Sequence, residues 1–398
     1  MANLLEEASI LITPTAYSEG KIHAVKPSRA PFADLDFTRG SSATRINEQG
    51  LIENSQGANV PRLDYSDGEA SFLFEPQVTN LVKFSNTGFI IDPPQSTSLI
   101  EDCQGRNTAL LIVPKNHADR FDYVIPQNSF IDNQKLTYSW YRKRLSTPII
   151  SNIVGDLKTK KFLNCVSLED NNATKIGSNV NGYDRFQVVF KIIDSSLDAT
   201  LRLYYGDIIG IGNSSVAYWG HQLEKGNKAT TLIATNGSTV TRLRETASKS
   251  GLGNLINSKE GTFFVNMAAL SDSLNWRFLS LSNESGTNRL VLAYKDVTKT
   301  LIVGYTVNGI SVVEFNHTLT NVDEFIKIGF RFKKGDFALI LNGNEVATSN
   351  NQTMIDIGSL NTFNSSLPNG NLSFEGRLKI LSIFKKGLLN SELISLTS

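Results

Sequence analysis

Four histidines are the side chains best suited to moving a proton near neutral pH: His23, His117, His221 and His317. They are far apart, and none has a second histidine at i+2 or i+4. The chain therefore carries no local chelating pattern, and a zinc site would have to be assembled by the fold. Serines are numerous, but no G-x-S-x-G elbow occurs and nothing in the spacing pairs a serine with a base. Acid catalysis on a sugar would need carboxylates at alternate positions of one strand, as in E-x-D-x-x-E, because those side chains share a face. No such string occurs, and the adjacent Asp323-Glu324 fits the turn entering Phe325. Phosphate-cradling loops are absent too, and Gly251-Leu252-Gly253 reads as flexible chain. Cys103 and Cys165 have no C-x-x-C spacing. A disulfide between them stays open, with two buried free thiols as the expectation. The residues predict no catalytic group, no metal, no cofactor and no enzyme activity.

Aromatic rings offer a different chemistry, stacking on the C–H face of a sugar. Trp219, Trp276 and Tyr305 are the candidates for glycan binding, with Tyr204 and Tyr205 weaker. All three tryptophans, Trp140 included, lie in strand-like stretches where burial is the default. Arg142-Lys143-Arg144 reads as a solvated strand edge that discourages unwanted pairing. With 39 Lys and Arg against 38 Asp and Glu, the net charge of +1 makes no electrostatic case for nucleic acid or an anionic membrane. No run approaches the ~18 apolar residues of a membrane span. The first twenty residues have no basic region before a long apolar core, so no secretory signal is expected, and assembly in a cytoplasm is.

The elements that must hold these residues are strands. In 84–245, Leu136, Tyr138 and Trp140 alternate with polar neighbours, as do Phe121, Tyr123 and Ile125 apart from Val124, then Phe186, Val188, Phe190 and Ile192 apart from Val189. A period of two with one apolar face predicts antiparallel sheet packed on one side. The same pattern runs through Ile326, Ile328, Phe330 and Phe332 in 261–398, and returns at Phe337, Leu339 and Leu341 after the turn Lys334-Gly335-Asp336. Asn308-Gly309 and Asn342-Gly343 are hairpin signals. The fold class expected is all-β, with two antiparallel sandwiches at 84–245 and 261–398 joined by a linker at 246–260. Residues 1–83 form an N-terminal module whose first 35 residues lack a lasting period. Such an arm cannot bury itself alone and must lie against its own next module, a symmetry mate or a particle.

Within that module, Asp36 to Leu81 packs Arg39, Arg45 and Arg62 among Asp36, Glu53 and Asp64, with turns at Gln49-Gly50, Gln56-Gly57 and Asp67-Gly68. Arginines in such a run cross-brace irregular loops, bidentate to carboxylates and carbonyls. The other reading is an anion or partner site. The pieces Asp36-Phe37-Thr38-Arg39, Ala43-Thr44-Arg45-Ile46-Asn47, Gly50-Leu51-Ile52-Glu53, Asn59-Val60-Pro61-Arg62-Leu63-Asp64-Tyr65, Phe74-Glu75-Pro76 and Thr79-Asn80-Leu81 occur in that order. Together they resemble a motif of phage virion proteins of the tail-fibre and head-fibre type, especially from phages of Bacteroidetes-like hosts. Ala217 to Gly226 resembles the last strand of carbohydrate-binding modules. The tail from Gly376 resembles the end of a concanavalin-A-like or laminin-G-like domain, where a strand precedes a short helical turn, here capped by Asn390 or Ser391.

The resemblance implies a structural virion protein, part of a fibre or a head or tail appendage. It implies an N-terminal module bound to other virion proteins, and adhesion to host-surface or environmental glycans. A homo-oligomer follows by analogy, with a trimer preferred. The alternatives are a glycan-active depolymerase and a prophage-encoded adhesin.

Overall fold

A computed structural model describes residues 2–28, 31–54, 57–86, 96–113, 120–145, 161–167, 173–204, 215–270, 276–295 and 298–398. Among them the chain is all-β, and every pair of named strands is antiparallel. Among the described residues, no helix is long and apolar enough to cross a membrane. The chain forms two compact units, and both are discontinuous. Unit 1 takes 1–42, 55–76 and 243–398; unit 2 takes 43–54 and 77–242. Residues 1–83 are therefore not a body of their own, which corrects the separate N-terminal module.

Unit 1 packs two sheets around one core. The first runs, in spatial order, Asn344–Ser349, Phe337–Leu341, Ile326–Lys333, Glu260–Ala269, Gly376–Phe384, Ser71–Phe74 and Leu63–Asp64, with Ile10–Ile12 also on Gly376–Phe384. The second runs Tyr17–Ser18, Lys21–Ile22, Leu35–Thr38, Thr246–Lys249, Thr362–Asn364, Arg277–Ser282, Arg289–Lys295, Thr300–Val307 and Ile310–Thr318. The alternating residues Ile326, Ile328, Phe330 and Phe332 face the core between them, with Leu279, Leu281, Leu290 and Leu292 opposite. Asn308 and Gly309 at φ 50° and 82°, and Asn342 and Gly343 at 46° and 78°, make the hairpin turns their sequence predicts.

The first sheet is apolar on its outer face as well. There Phe264, Ala338, Ile340 and Phe384 meet Leu393 and Leu396 of the helix Asn390–Thr397, and Ala8 and Leu11 of the arm. A side chain at Gly329 would come within 3.0 Å of Leu393. The arm is thus consumed inside its own unit, with Ile10 and Ile12 each 1% exposed and paired to Ile383 and Leu381. Ile10, Leu11 and Ile12 are not free to dock elsewhere. Residues 246–260 are likewise not a linker. Thr246–Lys249 is an interior strand of the second sheet, and Leu252 and Ile256 are core residues. Polar composition misled here because strand residues facing outward are polar by design of the fold. The helix cap also differs. Leu389 takes the N-cap position, its N–H donating to Glu392 Oε2 at 2.7 Å, while the Asn390 side chain serves Arg331 at 2.6 Å.

Unit 2 has a seven-stranded sheet ordered Ser96–Glu101, Asn107–Val113, Val216–Lys225, Lys135–Arg144, Tyr183–Ile192 and Cys165–Ser167, with Thr174–Val180 also on Tyr183–Ile192. A three-stranded sheet of Arg120–Ile125, Ala199–Tyr204 and Lys161–Leu163 shares its core through Ile125, Ala199 and Leu201. Leu136, Tyr138, Trp140, Phe186, Val188, Phe190 and Ile192 all enter that core, as their period requires. The side chains of Phe121, Tyr123 and Tyr204, and all of Tyr205 and His117, lie outside the described residues. Cys103 and Cys165 are free and buried in two different clusters. Burial raises both thiols, Cys165 to about 12.

Candidate functional site

The candidate binding site is an open pocket of about 430 Å³ in unit 1. It is built from two turns that the core pins on their inner sides. Leu252 (1% exposed) and Ile256 (3%) anchor one turn, and Ile355 and Leu360 (both 0%) anchor the other. The Leu252 N–H donates to the Asn361 carbonyl at 2.7 Å and ties the turns together. Gly251 and Gly358, at φ +79° and +77°, take backbone conformations that other residues resist.

Its lining combines the amides of Asn254, Asn257 and Asn361 with the side chain of Ile357. Asn257 is braced: its Nδ2 donates to the Lys385 carbonyl at 3.1 Å and its Oδ1 accepts the Lys259 N–H at 3.1 Å. Asn361 Oδ1 accepts the Thr362 hydroxyl at 2.9 Å. Asn254 is exposed, and Ile357 is 76% exposed. Primary amides both donate and accept, which suits hydroxyl-rich ligands, and a fixed aliphatic wall suits their C–H faces. Among the described residues, no carboxylate, histidine or thiol lines the pocket. The spacing gave no clue to it, because Asn254 and Asn361 are brought together only by the sheet.

The aromatic candidates fare differently. Trp219 and Tyr305 are both 0% exposed and have no face to offer a ligand. Trp219 packs against Tyr141 at 5.9 Å, and its Nε1 donates to the Thr108 hydroxyl at 3.1 Å. Tyr305 stacks on Phe332 and donates from its hydroxyl to the Ser258 carbonyl at 2.9 Å. Trp276 is half-buried, with the Lys295 ammonium 5.9 Å from its ring centre. It is the one of the three that keeps an accessible edge. In the basic cluster, the Arg142 guanidinium lies 4.0 Å from the centre of the Phe186 ring, so the residue is part of the packing and not a solvated edge.

The arginine-rich motif resolves into two structural seats. Arg39 and Arg62, both 0% exposed, converge on Glu245, with Glu75 completing the cluster. Arg39 Nη1 donates to Glu245 Oε1 at 2.8 Å and to the Val60 carbonyl at 2.9 Å; its Nε reaches the Ser41 carbonyl at 2.8 Å and its Nη2 the Gly57 carbonyl at 3.0 Å. Arg62 grips both oxygens of Glu245 and meets Glu75 Oε2 at 2.8 Å. The Glu75 N–H donates to Glu245 Oε2 at 2.9 Å. Burial pulls the Arg62 pKa down, but the Glu245 and Glu75 carboxylates outweigh it and the net shift is upward. Cross-bracing is what these arginines do, though not to the neighbouring acids: Asp36 pairs with Lys21 instead. Arg45 does pair with Glu53, within unit 2.

The second seat is Asn80. Its Nδ2 donates to the His221 and Ile233 carbonyls at 3.2 and 2.8 Å, and its Oδ1 accepts the Val82 and Leu223 N–H groups at 3.0 and 3.1 Å. Next to it, a bulge at Gly220 (φ +66°) shifts the register between Ser139 and Tyr141. Before it Val216 and Tyr218 face the larger core of unit 2; after it Leu223 does. That switch turns His221 inward against Tyr138, whose hydroxyl lies 2.8 Å from Nδ1.

Burial pushes the His221 pKa down to about 4. The unfolded chain takes up this proton near pH 6.5 and the folded chain does not until about pH 4. The stability it supports is complete above pH 6.5 and is lost as pH falls through that window, by about 3 kcal/mol in all. Burial raises Glu224, which tilts the slope the other way. Chemical denaturation across the window should therefore give a steeper loss for the wild type than for His221→Gln. Equal slopes would mean that the imidazole is not held neutral.

No protein-family model and no curated protein matches the sequence. Among solved structures, the carbohydrate-binding module 40 of the Ruminococcus gnavus intramolecular trans-sialidase, bound to α2,3-sialyllactose, is 16% identical; the match covers 35% of this chain and 83% of that one, at a TM-score of 0.31. Domain 4 of the Geobacillus stearothermophilus arabinanase AbnA, in complex with arabinotriose, is 13% identical over 43% of this chain and 84% of that one, at 0.32. A heptameric pentraxin from Limulus polyphemus is 16% identical over 36% and 71%, at 0.30. The all-β assignment rests on this chain's own strands.

Proposed function

We propose that the protein is an adhesive structural component that holds glycans, and that it serves in a phage particle as part of a fibre or a head or tail appendage. The observation that carries the binding role is the Asn254–Asn257–Asn361 pocket with its exposed Ile357 wall. Its amides match hydroxyl groups, and its openness suits a chain end or side branch of a polysaccharide. The phage assignment rests on the ordered motif from Asp36 to Leu81. The proposed partners are host-surface or environmental glycans, other virion proteins, and further copies of the chain, with a trimer by analogy.

Titration with polysaccharide from the host surface tests the binding role. Asn254→Ala and Ile357→Ala should each weaken binding about tenfold, or ~1.4 kcal/mol, at unchanged melting temperature. Undiminished binding by the double variant would remove the pocket from consideration. Mass spectrometry of purified particles should find the chain, and electron microscopy should show its position and copy number. Absence from particles would end the virion assignment while leaving the pocket standing.

A further inference from the structure

One constellation in unit 1 has a chemistry that adhesion does not use. Tyr17–Ser18 and Lys21–Ile22 form a tight hairpin through Glu19 and Gly20, the latter at φ +72°. Lys21–Ile22 pairs in turn with Leu35–Thr38, Lys21 opposite Asp36 and Ile22 opposite Leu35. Continuing that register puts Asp34 across from His23, and Ser18 on the diagonal from His23 across the hairpin. The side chains meet accordingly. Ser18 Oγ is 2.9 Å from His23 Nε2, and His23 Nδ1 is 2.8 Å from Asp34 Oδ2.

The arrangement is fixed from below. Ile22 and Ala33 are 0% exposed and Leu35 is 2%, so the backbone on either side of each polar residue is pinned in the core. Asp34 Oδ1 is held by the Ala24 N–H at 2.8 Å, which sets the carboxylate's rotation. A carboxylate only accepts, so the neutral imidazole must carry its proton on Nδ1. Nε2 is then the acceptor for the Ser18 hydroxyl. Ser18 is exposed, and the His23 side chain is 37% exposed against 11% for Asp34. The nucleophile thus faces solvent, the base lies beneath it, and the orienting acid is shielded. That order of connection and burial is the one a serine hydrolase requires.

We propose that Ser18 and His23 are catalytic residues, with Asp34 as their positioning residue, for hydrolysis of esters of small acyl groups such as acetyl. Ser18 Oγ bonds to the acyl carbon as its proton passes to His23 Nε2. The tetrahedral adduct collapses, the ester C–O bond breaks, and the leaving oxygen takes the proton from Nε2. Water then attacks the acyl-serine, gives its proton to Nε2, and releases the carboxylic acid as Ser18 recovers its hydroxyl. The sum is ester plus water to acid plus alcohol. Lys21 lies directly opposite Ser18 in the hairpin, with its ammonium paired to Asp36. A nucleophile on an open sheet face suits a short acyl group on an alcohol of any bulk. The proposal shares no residue with the glycan pocket and does not depend on it.

The test uses the full chain and a fluorophosphonate probe, followed by peptide mass spectrometry. The wild type should acquire one adduct on Ser18, and Ser18→Ala should acquire none. His23→Gln should slow labelling about hundredfold. Asp34→Asn should also slow it, with partial rescue in Asp34→Glu, a readout that a merely structural staple would not move. Hydrolysis of p-nitrophenyl acetate should fall by the same factors. An unlabelled Ser18 in the folded wild type overturns the proposal without any variant. So does labelling at a rate indifferent to His23→Gln.

Discussion

Glu245→Ala should destabilise unit 1 by about 3–5 kcal/mol, the usual cost of removing one partner from a buried ionic cluster. Glu245 accepts from Arg39, from both ends of the Arg62 fork and from the Glu75 N–H, and both of its arginines are fully buried. Truncating it leaves two buried guanidinium groups short of a carboxylate, Arg62 keeping Glu75 and Arg39 keeping backbone carbonyls. The three pieces of unit 1, from 1–42, 55–76 and 243–398, each supply a member of the cluster, so the loss is felt wherever those pieces meet. Glu245→Gln keeps the shape and drops the charge, and should cost less. Hydrogen exchange in Phe337–Leu341 and Gly376–Phe384 reads the effect on unit 1 directly. A loss below about 1 kcal/mol would place the energy of the cluster with surface pairs and sink the bracing role.

Trp219→Ala should cost unit 2 a similar amount, about 3–5 kcal/mol, as large-to-small changes at buried aromatics do. The indole fills the small cluster of Cys103, Ala109, Tyr141, Tyr183 and Leu232, and its N–H loses the Thr108 hydroxyl. The ring of Tyr141 packs on the neighbouring Gly220, where a Cβ would stand 2.7 Å from it. Denaturation followed by exchange in Val216–Lys225 measures the cost. Glycan affinity at the unit 1 pocket should be unchanged. If affinity fell while stability held, Trp219 would be a sugar platform and its burial would be misread.

Arg39, Arg62 and Glu75 are seats inside unit 1, and Asn80 is a seat inside unit 2. Such seats need fixed residue types because each buried donor and acceptor must be satisfied. A motif of this kind marks how the chain is built and says nothing by itself about chemistry.

The strands and turns were legible because their signals are local. A period of two at Ile326–Phe332 or Leu136–Trp140 needs only a sheet with one buried face, and Asn-Gly at 308–309 needs only two residues at positive φ. The hairpin at Glu19-Gly20 makes neighbours of Ser18 and His23, but Asp34 reaches them only through the pairing of Lys21–Ile22 with Leu35–Thr38. What the residues alone determined was the kind of structure: antiparallel strands, reversed at glycine and asparagine, with arginines bound for carboxylates and carbonyls. Which carboxylate was decided by the tertiary fold, which brings Glu245 to an arginine 206 residues away. The fold likewise made an interior strand of the polar stretch Thr246–Lys249, buried the arm at Ile10–Ile12, and closed a pocket between Asn254 and Asn361. Periodicity reports which face of a strand is apolar, but a strand's neighbours are chosen by the energy of the whole sheet, and no window of sequence contains that sum.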